Sequence, residues 1–402
     1  MINSLSVRKL HIVIYSELKE YGGGRETWLN YFLPGLLKEN IFSEIIVYGL
    51  KPILNQDTLY IKFNSLDKLK FIPINAGDVN KKNLFLNMKN YCIKTTQKIM
   101  KYASSGDTIL LMSANMEAVV GIIAKFLLRK NISVITWMRS IGVKEISSRK
   151  GKGIQAISAF LEKKIFKISN RIIMNGKDTY SHYVSSYPQV SKKMKTIENA
   201  VDYTKFSGMP LPNFNESHIN ITYIGRFNRE KGFFDFLESI DVYNGQSFAR
   251  NTNEEKIKFN IWGHGCNVPE KENMDYFGVL EREELFQALN KSHVLVFLNL
   301  SNNQLAAGLS HALLEALAAG RLCIAYNNAA HNQILNKSNS ILIEESDVSN
   351  LAYAYNSILK ANEAENNEII KLCQKGRDAA LPFTIEAHIS KFIQIINEIT
   401  SE

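Results

Sequence analysis

Two cations stand close together in the stretch Tyr223-Ile224-Gly225-Arg226-Phe227-Asn228-Arg229-Glu230-Lys231-Gly232. A β-type run, Ile221–Ile224, leads into it, and a helical pattern, 232–240, leaves it. Arginine offers a planar fork of donors and lysine a compact point charge. Arg226 and Lys231 together suit a diphosphate and can stabilise charge developing on a departing phosphate. A pair of exposed turn cations has the same local sequence. A second stretch, 306–320 (AAGLSHALLEALAAG), reads as a helix with one carboxylate, Glu315, among alanines and leucines, and His311 one turn before it. Asn302, Asn303 and Gln304 precede this helix, whose first amides make an anion site if they face open space. A third stretch, Gly22-Gly23-Gly24, lies between a strand pattern, 9–15, and a helical pattern, 27–37. Glycines there let a ligand approach the backbone, but their spacing is not the dinucleotide fingerprint. Arg139 follows the strand pattern 132–137. Contact with an anionic sugar or phosphate, and pairing with a loop carboxylate, both fit it.

The elements that must hold these residues alternate along the whole chain. Strand patterns at 9–15, 44–48, 108–112, 132–137, 171–174 and 195–197 alternate with helical ones at 27–37, 83–102, 117–129, 150–168 and 178–185. A second series has strands at 221–224, 256–262, 274–277, 294–298, 322–326 and 341–343, with helices between them and an amphipathic helix at 386–399. Such alternation means βαβ units and parallel sheets. The run 207–217 (SGMPLPNFNES) is rich in Pro, Asn and Ser and reads as a linker.

With 402 residues, 45% hydrophobic and 22% charged, the chain is globular and long enough for two domains. No apolar run has the length of a membrane span. The beginning, MINSLSVRKLHIVIYS, passes directly into a strand without a signal-peptide layout, so a cytoplasmic location is expected. Cys92, Cys266, Cys323 and Cys373 are scattered without metal-ligand spacing and are expected to be free thiols. The net charge of +9 is concentrated in the first half, at Lys81, Lys82, Lys89, Lys94, Lys98 and Lys101, and again from Lys144 through Arg149, Lys150, Lys152, Lys163, Lys164 and Lys167 to Arg171. Such charge suits an anionic membrane surface or phosphorylated substrates. Zinc-finger spacing, an RNA-binding consensus and a long basic tail are absent from the sequence, so nucleic acid is not an expected partner.

The segment GLSHALLEALAAG closely resembles the donor site of GT-B glycosyltransferases of the large retaining family four (glycosyl transferases group 1). Gly225-Arg226 followed by Lys231-Gly232 resembles that family's grip on the donor diphosphate. Trp262-Gly263-His264-Gly265 is similar to its glycine-containing strand end, and Tyr276-Phe277-Gly278-Val279 to the loop that meets the nucleobase. Glu198-Asn199-Ala200-Val201-Asp202 resembles its Asn-Gly-Val-Asp motif, with Ala200 in place of Gly. Asn327-Asn328-Ala329-Ala330-His331 stands where the family has a glycine-rich loop. The resemblance is strong over 199–343 and weaker over 9–185.

The resemblance implies an α/β GT-B fold, two doubly wound Rossmann-like domains facing a cleft. The expected layout is an acceptor-side domain at 1–206, a linker at 207–218, a nucleotide-sugar domain at 219–382, and a helix at 383–402 that crosses back to the first domain. It implies transfer of a sugar with retention from a nucleotide-diphospho-sugar, by analogy a UDP-sugar, to a surface glycan or lipid-linked acceptor. In these roles Arg226, Lys231 and Arg139 serve catalysis. Gly23, Gly24, Gly225, Gly263, Val279, Gly308, Leu309, Ser310 and Glu315 bind the donor, with Glu315 accepting hydrogen bonds from the ribose. The family's second glutamate, which touches the transferred sugar, is replaced by Ala307, so altered sugar recognition is expected. No cofactor beyond the donor is implied. The chain contains no Asp-x-Asp triplet, so a metal is not implied either. A GT-B nucleotide-sugar epimerase and a non-catalytic GT-B-like partner subunit are the alternatives.

Overall fold

The computed structural model describes residues 8–19, 23–52, 58–63, 65–77, 84–128, 131–141, 152–245, 257–280, 282–301, 308–361 and 363–401. It divides into two compact units, Met1–Asn199 with Ile385–Glu402, and Ala200–Thr384. The stretch 207–218, expected as a linker, lies inside the second unit. Met209 and Phe214 are buried in its cores, and Arg321 and Arg377 donate to the carbonyls of Pro210 and Met209. Its Pro- and Asn-rich composition makes a fixed irregular segment whose few apolar side chains are anchors.

The first unit is a parallel sheet of β1 (Lys9–Val13), β2 (Glu44–Leu50), β3 (Leu69–Ile74), β4 (Thr108–Leu111), β5 (Ser133–Met138), β6 (Arg171–Met174) and β7 (Met194–Thr196), in the order β3-β2-β1-β4-β5-β6-β7. The central strands are buried on both faces, which is why they read as apolar runs and not as alternating patterns. Strand β3 was not anticipated. Lys70 and Pro73 interrupt its apolar pattern, and both are tolerated because it is an edge strand with exposed positions.

The helix Ile385–Ser401 closes this unit against the helix Gly24–Glu39. Phe392 stacks on Trp137 and meets Phe32 edge-on. His388 Nδ1 donates to the Glu198 carbonyl (2.7 Å), and its Nε2 accepts from the Trp28 indole (2.9 Å). Both nitrogens are satisfied only in the neutral ring. Burial first, with the charges of Arg139 and Lys391 against the opposing pull of the Glu198 carbonyl, pushes the His388 pKa down to about 3.

The second unit repeats the plan. Its parallel strands are β8 (Ile219–Arg226), β9 (Ile257–His264), β10 (Met274–Tyr276), β11 (Val294–Phe297), β12 (Leu322–Tyr326) and β13 (Ile341–Ile343), in the order β10-β9-β8-β11-β12-β13. One face packs against the helices Phe233–Gly245 and Val348–Lys360 around Phe236, Phe259 and Tyr355. The other packs Leu295, Phe297, Cys323 and Ala325 against Leu313, Leu314 and Leu317. The helix Glu363–Ala380 was also not anticipated: its inward positions recur at helical spacing, but they are filled by Asn366, Cys373, Gly376 and Ala380, small or polar residues set among Glu, Asn and Lys. Among the described residues, no helix is long and apolar enough to cross a membrane.

Candidate functional site

In each sheet the chain starts in the middle, moves to one side, then returns to pair on the other side of its first strand. The order reverses between β1 and β4, and between β8 and β11. Ligands of doubly wound sheets bind outside the carboxyl ends of the strands at such a point. In the second unit the ladder between β8 and β11 pairs only Ile221 with Val294 and Thr222 with Leu295, although β8 continues to Arg226. The two strands therefore part toward their carboxyl ends.

Arg226 and Lys231 lie at this opening. The loop between them is held rigidly. Asn228 Oδ1 accepts from the Lys231 amide (3.0 Å), and Phe227 N donates to His264 O (2.7 Å). The Tyr223 hydroxyl donates to the carbonyls of Arg226 (3.0 Å) and Lys231 (3.3 Å). Gly232 is in the left-handed region at φ 64°, and a side chain there would overlap the Leu298 carbonyl. That contact, with Leu300 N donating to Glu230 O (3.1 Å), brings the loop after β8 onto the loop after β11. The Arg226 side chain is exposed and that of Lys231 partly buried. Burial, and secondarily the charge of Arg226, pushes Lys231 down to about 8. Two cations that repel each other on a fixed loop favour a dianionic ligand.

The loop after β11 is clamped from the far side. Ser301 N and Oγ donate to the two Glu345 oxygens (2.7 and 2.8 Å), and Asn328 Nδ2 donates to Glu345 Oε1 and to Asn299 O (both 2.7 Å). His331 Nδ1 donates to the Tyr326 carbonyl (2.8 Å). Its Nε2 is buried without a hydrogen-bond partner among the described residues. Burial chiefly, with the Lys231 charge contributing, pushes His331 down to about 4. Asn328, His331 and Glu345 were missed as site residues. Only their place in the stretch after β12 marks Asn328 and His331, and the expected glycines are absent from it; Glu345, after β13, has no motif to mark it.

The helix of the second stretch spans His311–Ala318, shorter than the expected 306–320. Ser310 caps it, its hydroxyl accepting from Leu313 N (3.0 Å), which breaks the helical run where the alanine-rich sequence alone would let it continue. Gly308 precedes it at φ 85°, Leu309 is buried, and Gly320 ends the turn at φ 68°. Glu315 is buried in the middle of this helix, one turn after His311, which donates from Nδ1 to Ala200 O (3.0 Å). The structure thus sets Glu315 on the element that leaves β11 and the two cations on the loop that leaves β8. Asn302, Asn303, Gln304 and Ala307 lie outside the described residues.

On the other side of β8, Gly225 and Gly263 are register partners. Gly263 has φ 146°, and an added Cβ would overlap the Gly225 carbonyl oxygen. Gly263 N donates to Gly278 O (2.7 Å), which places the exposed Val279 just past the carboxyl end of β10.

In the first unit, Gly23 and Gly24 start the helix Gly24–Glu39, which has no side-chain cap. Open space surrounds Gly24. Arg139, past the end of β5, donates from Nη2 to Asn199 Oδ1 (2.8 Å) and Gly24 O (3.4 Å), with its guanidinium 5.3 Å from the Trp28 ring. Its Nη1 is buried without a hydrogen-bond partner among the described residues. Burial and the neighbouring Arg25 push it down to about 9. An uncapped helix start beside an unsatisfied guanidinium donor is suited to an anion. Tyr21, Gly22, Lys81, Lys82, Lys144, Arg149 and Lys150 lie outside the described residues. Among the described residues no group of His, Cys, Asp or Glu has the arrangement of a metal site.

Residues 218–361 match the family described as Glycosyl transferases group 1. No curated protein matches the sequence. Among solved structures, the chain is similar to sucrose-phosphate synthase from Thermosynechococcus elongatus, at 15% identity and TM-score 0.72 over 98% of this chain and 99% of that one. It is similar to Anabaena HepE in complex with UDP-glucose, at 13% identity and TM-score 0.68 over 98% and 100%. The lipopolysaccharide outer core galactosyltransferase WaaB gives 13% identity and TM-score 0.65 over 97% and 99%. Two doubly wound units and likeness over nearly the full length of these structures agree: the chain has the GT-B fold, and its residues 218–361 match Glycosyl transferases group 1.

Proposed function

We propose that the chain transfers a sugar, with retention, from a UDP-sugar to a surface glycan or lipid-linked acceptor. The observation that carries this reading is the rigid Arg226–Lys231 loop at the parting of β8 and β11. In the reaction the bond from the sugar carbon to the diphosphate oxygen breaks and a bond to the acceptor oxygen forms. Arg226 and Lys231 stabilise the charge left on the diphosphate, whose oxygen takes the acceptor proton. They perform this role without a cofactor and without a metal. Glu315 accepts hydrogen bonds from the ribose, and Arg139 holds an anionic group of the acceptor or the sugar. A UDP-sugar is favoured because HepE was crystallised with UDP-glucose, and a glycan acceptor because WaaB is named for one.

The same reading puts the protein at the inner face of a membrane, where lipid-linked acceptors are found. Its support is in the first unit, where the helices Leu84–Tyr102, Met116–Leu128 and Lys152–Ile168 pack side by side. They expose Phe85 (83%), Phe126 (71%) and Phe160 (58%), interleaved with Lys89, Lys94, Lys98, Lys163 and Lys164. Exposed aromatics among lysines are the composition of an interfacial surface for anionic lipid.

Calorimetric titration with UDP tests the proposal. UDP is expected to bind the parent protein and to bind Arg226→Ala and Lys231→Ala more weakly. Absence of UDP binding by the parent, or equal affinity in all three, overturns it.

A further inference from the structure

A cleft of ≈ 690 Å³ lies in the second unit, lined by neither Arg226 nor Lys231, over the amino-terminal half of β8 and along β9 from Lys258 to Trp262. Its origin is a short crossover. Parallel strands are normally joined through a helix that covers one sheet face. Here β9 and β10 are parallel neighbours, yet residues 265–273 between them form no helix. Period-two alternation shows the effect on side chains. Ile221, Phe259 and Ile261 point into the core cluster. Their neighbours Thr222, Asn260 and Trp262 point to the opposite face and line the cleft. The helix Arg282–Lys291 forms one wall through Gln287, and Asp275 and Phe277 stand at the β10 side.

A sheet face left to water carries mainly polar side chains. This one carries an aromatic pair as well: the Trp262 and Phe277 rings are stacked at 4.7 Å and 14°, and Phe277 is 49% exposed. Around the pair are amides, which both donate and accept, and a carboxylate, which accepts. Cations and carboxylates line the cleft in equal number, Lys258, Lys291 and Arg321 against Glu216, Asp275 and Glu284. Its size is that of a small-molecule site, which spans about 300–1,000 Å³. A pyranose ring has a matching division: a C–H face that lies on an aromatic ring, and a rim of hydroxyls that both donate and accept.

We propose that this cleft is a second ligand site, and that it binds a neutral oligosaccharide laid on the Trp262–Phe277 pair with its hydroxyls bonded to Asn260, Gln287 and Asp275. The choice of a saccharide rests on the transferase reading; the cleft itself does not.

The sequence has three tryptophans, and Trp28 and Trp137 are fully buried in the first unit, so a fluorescence change at Trp262 reports on the cleft. The full chain is titrated with short neutral gluco- and galacto-oligosaccharides, without donor. At least one is expected to shift the emission, with affinity falling about tenfold in Trp262→Ala. Gln287→Ala and Asp275→Ala, both at exposed positions, guard against misfolding and are expected to weaken oligosaccharide binding while leaving UDP affinity unchanged. No binding by any member of the panel, or binding indifferent to all three substitutions, overturns the proposal. UDP binding and sugar transfer without oligosaccharide binding removes this inference and keeps the transferase. Trp262-dependent oligosaccharide binding without UDP binding does the reverse.

Discussion

The two units share one topology and encode their sites differently. The order β3-β2-β1-β4-β5-β6-β7 is the order β10-β9-β8-β11-β12-β13 with one strand more. In the second unit the candidate residues come from short stretches: ten residues, from the end of β8 to Gly232, hold Arg226 and Lys231, and one helix with its cap holds Ser310 and Glu315. Glycines at points of close backbone approach fix those stretches, so geometry and sequence motif coincide. In the first unit the candidate anion site is assembled from Gly24, Arg139 and Asn199, far apart in the chain. A motif that is local in space and in sequence can be read directly. One made by tertiary apposition shows its members, here Gly24 and Arg139, but not that they meet.

The largest expected effect tests whether glycine geometry separates the units. Gly263→Val puts a branched side chain into the Gly225 carbonyl at a left-handed φ, and is expected to cost the second unit roughly 4 kcal/mol. Gly24→Ala, with open space around it, should change stability by less than about 1 kcal/mol. Denaturant titration of both variants checks the contrast, and equal losses would break it.

Next is the electrostatic contrast. Lys231→Ala is expected to weaken UDP binding by roughly 1.5–3 kcal/mol, whereas Arg139→Met in the first unit leaves it unchanged. With Lys231 near 8, the parent's UDP affinity should also decline as pH rises through about 8 and the ammonium loses its proton. Calorimetry over pH 6–9 tests both statements, and a loss in Arg139→Met equal to that in Lys231→Ala would erase the division of roles.

A third difference is in acid. His388 in the first unit and His331 in the second are held neutral, near 3 and near 4, against an ordinary value of 6.5. Between those values the unfolded chain binds more protons, so stability rises with pH and is lost as pH falls from about 6.5 toward 4. Each histidine contributes a slope of roughly 1.4 kcal/mol per pH unit. His388→Asn should remove one such slope, and an unchanged acid limb would show that the Trp28–His388–Glu198 chain does not govern it.

The smallest effect concerns membranes. Phe126→Ser is expected to weaken binding to anionic vesicles by about 1–2 kcal/mol, while Phe277→Ser, an equally apolar exposed site in the second unit, has no effect. Co-sedimentation at low and high salt measures both. Binding that depends on Phe277 would assign the lipid surface to the other unit.

Most of the fold was legible because doubly buried strands are short apolar runs set between helical periods. Strand β3 escaped because an edge position accepts Lys70 and Pro73, and helix Glu363–Ala380 because its polar residues hide a few anchors such as Cys373. The glycine and cation positions of the donor loops were legible. The start of the helix before Glu315 was not, because the Ser310 cap overrides alanine propensity. The cleft over Trp262 was illegible for a different reason: it is made by a helix that the 265–273 crossover does not form.

The helix Ile385–Ser401 has a consequence for how the protein is made. It belongs to the first unit, but the ribosome delivers it only after every residue of the second. Ala200–Thr384 can therefore complete its sheet while the earlier-made segment still waits, with Trp28, Phe32 and Trp137 lacking the cover of Ile389, Phe392 and Ile396. The first body therefore cannot bury that aromatic cluster under its closing helix until the whole of the second has been made, and its apolar surface stays open for that interval.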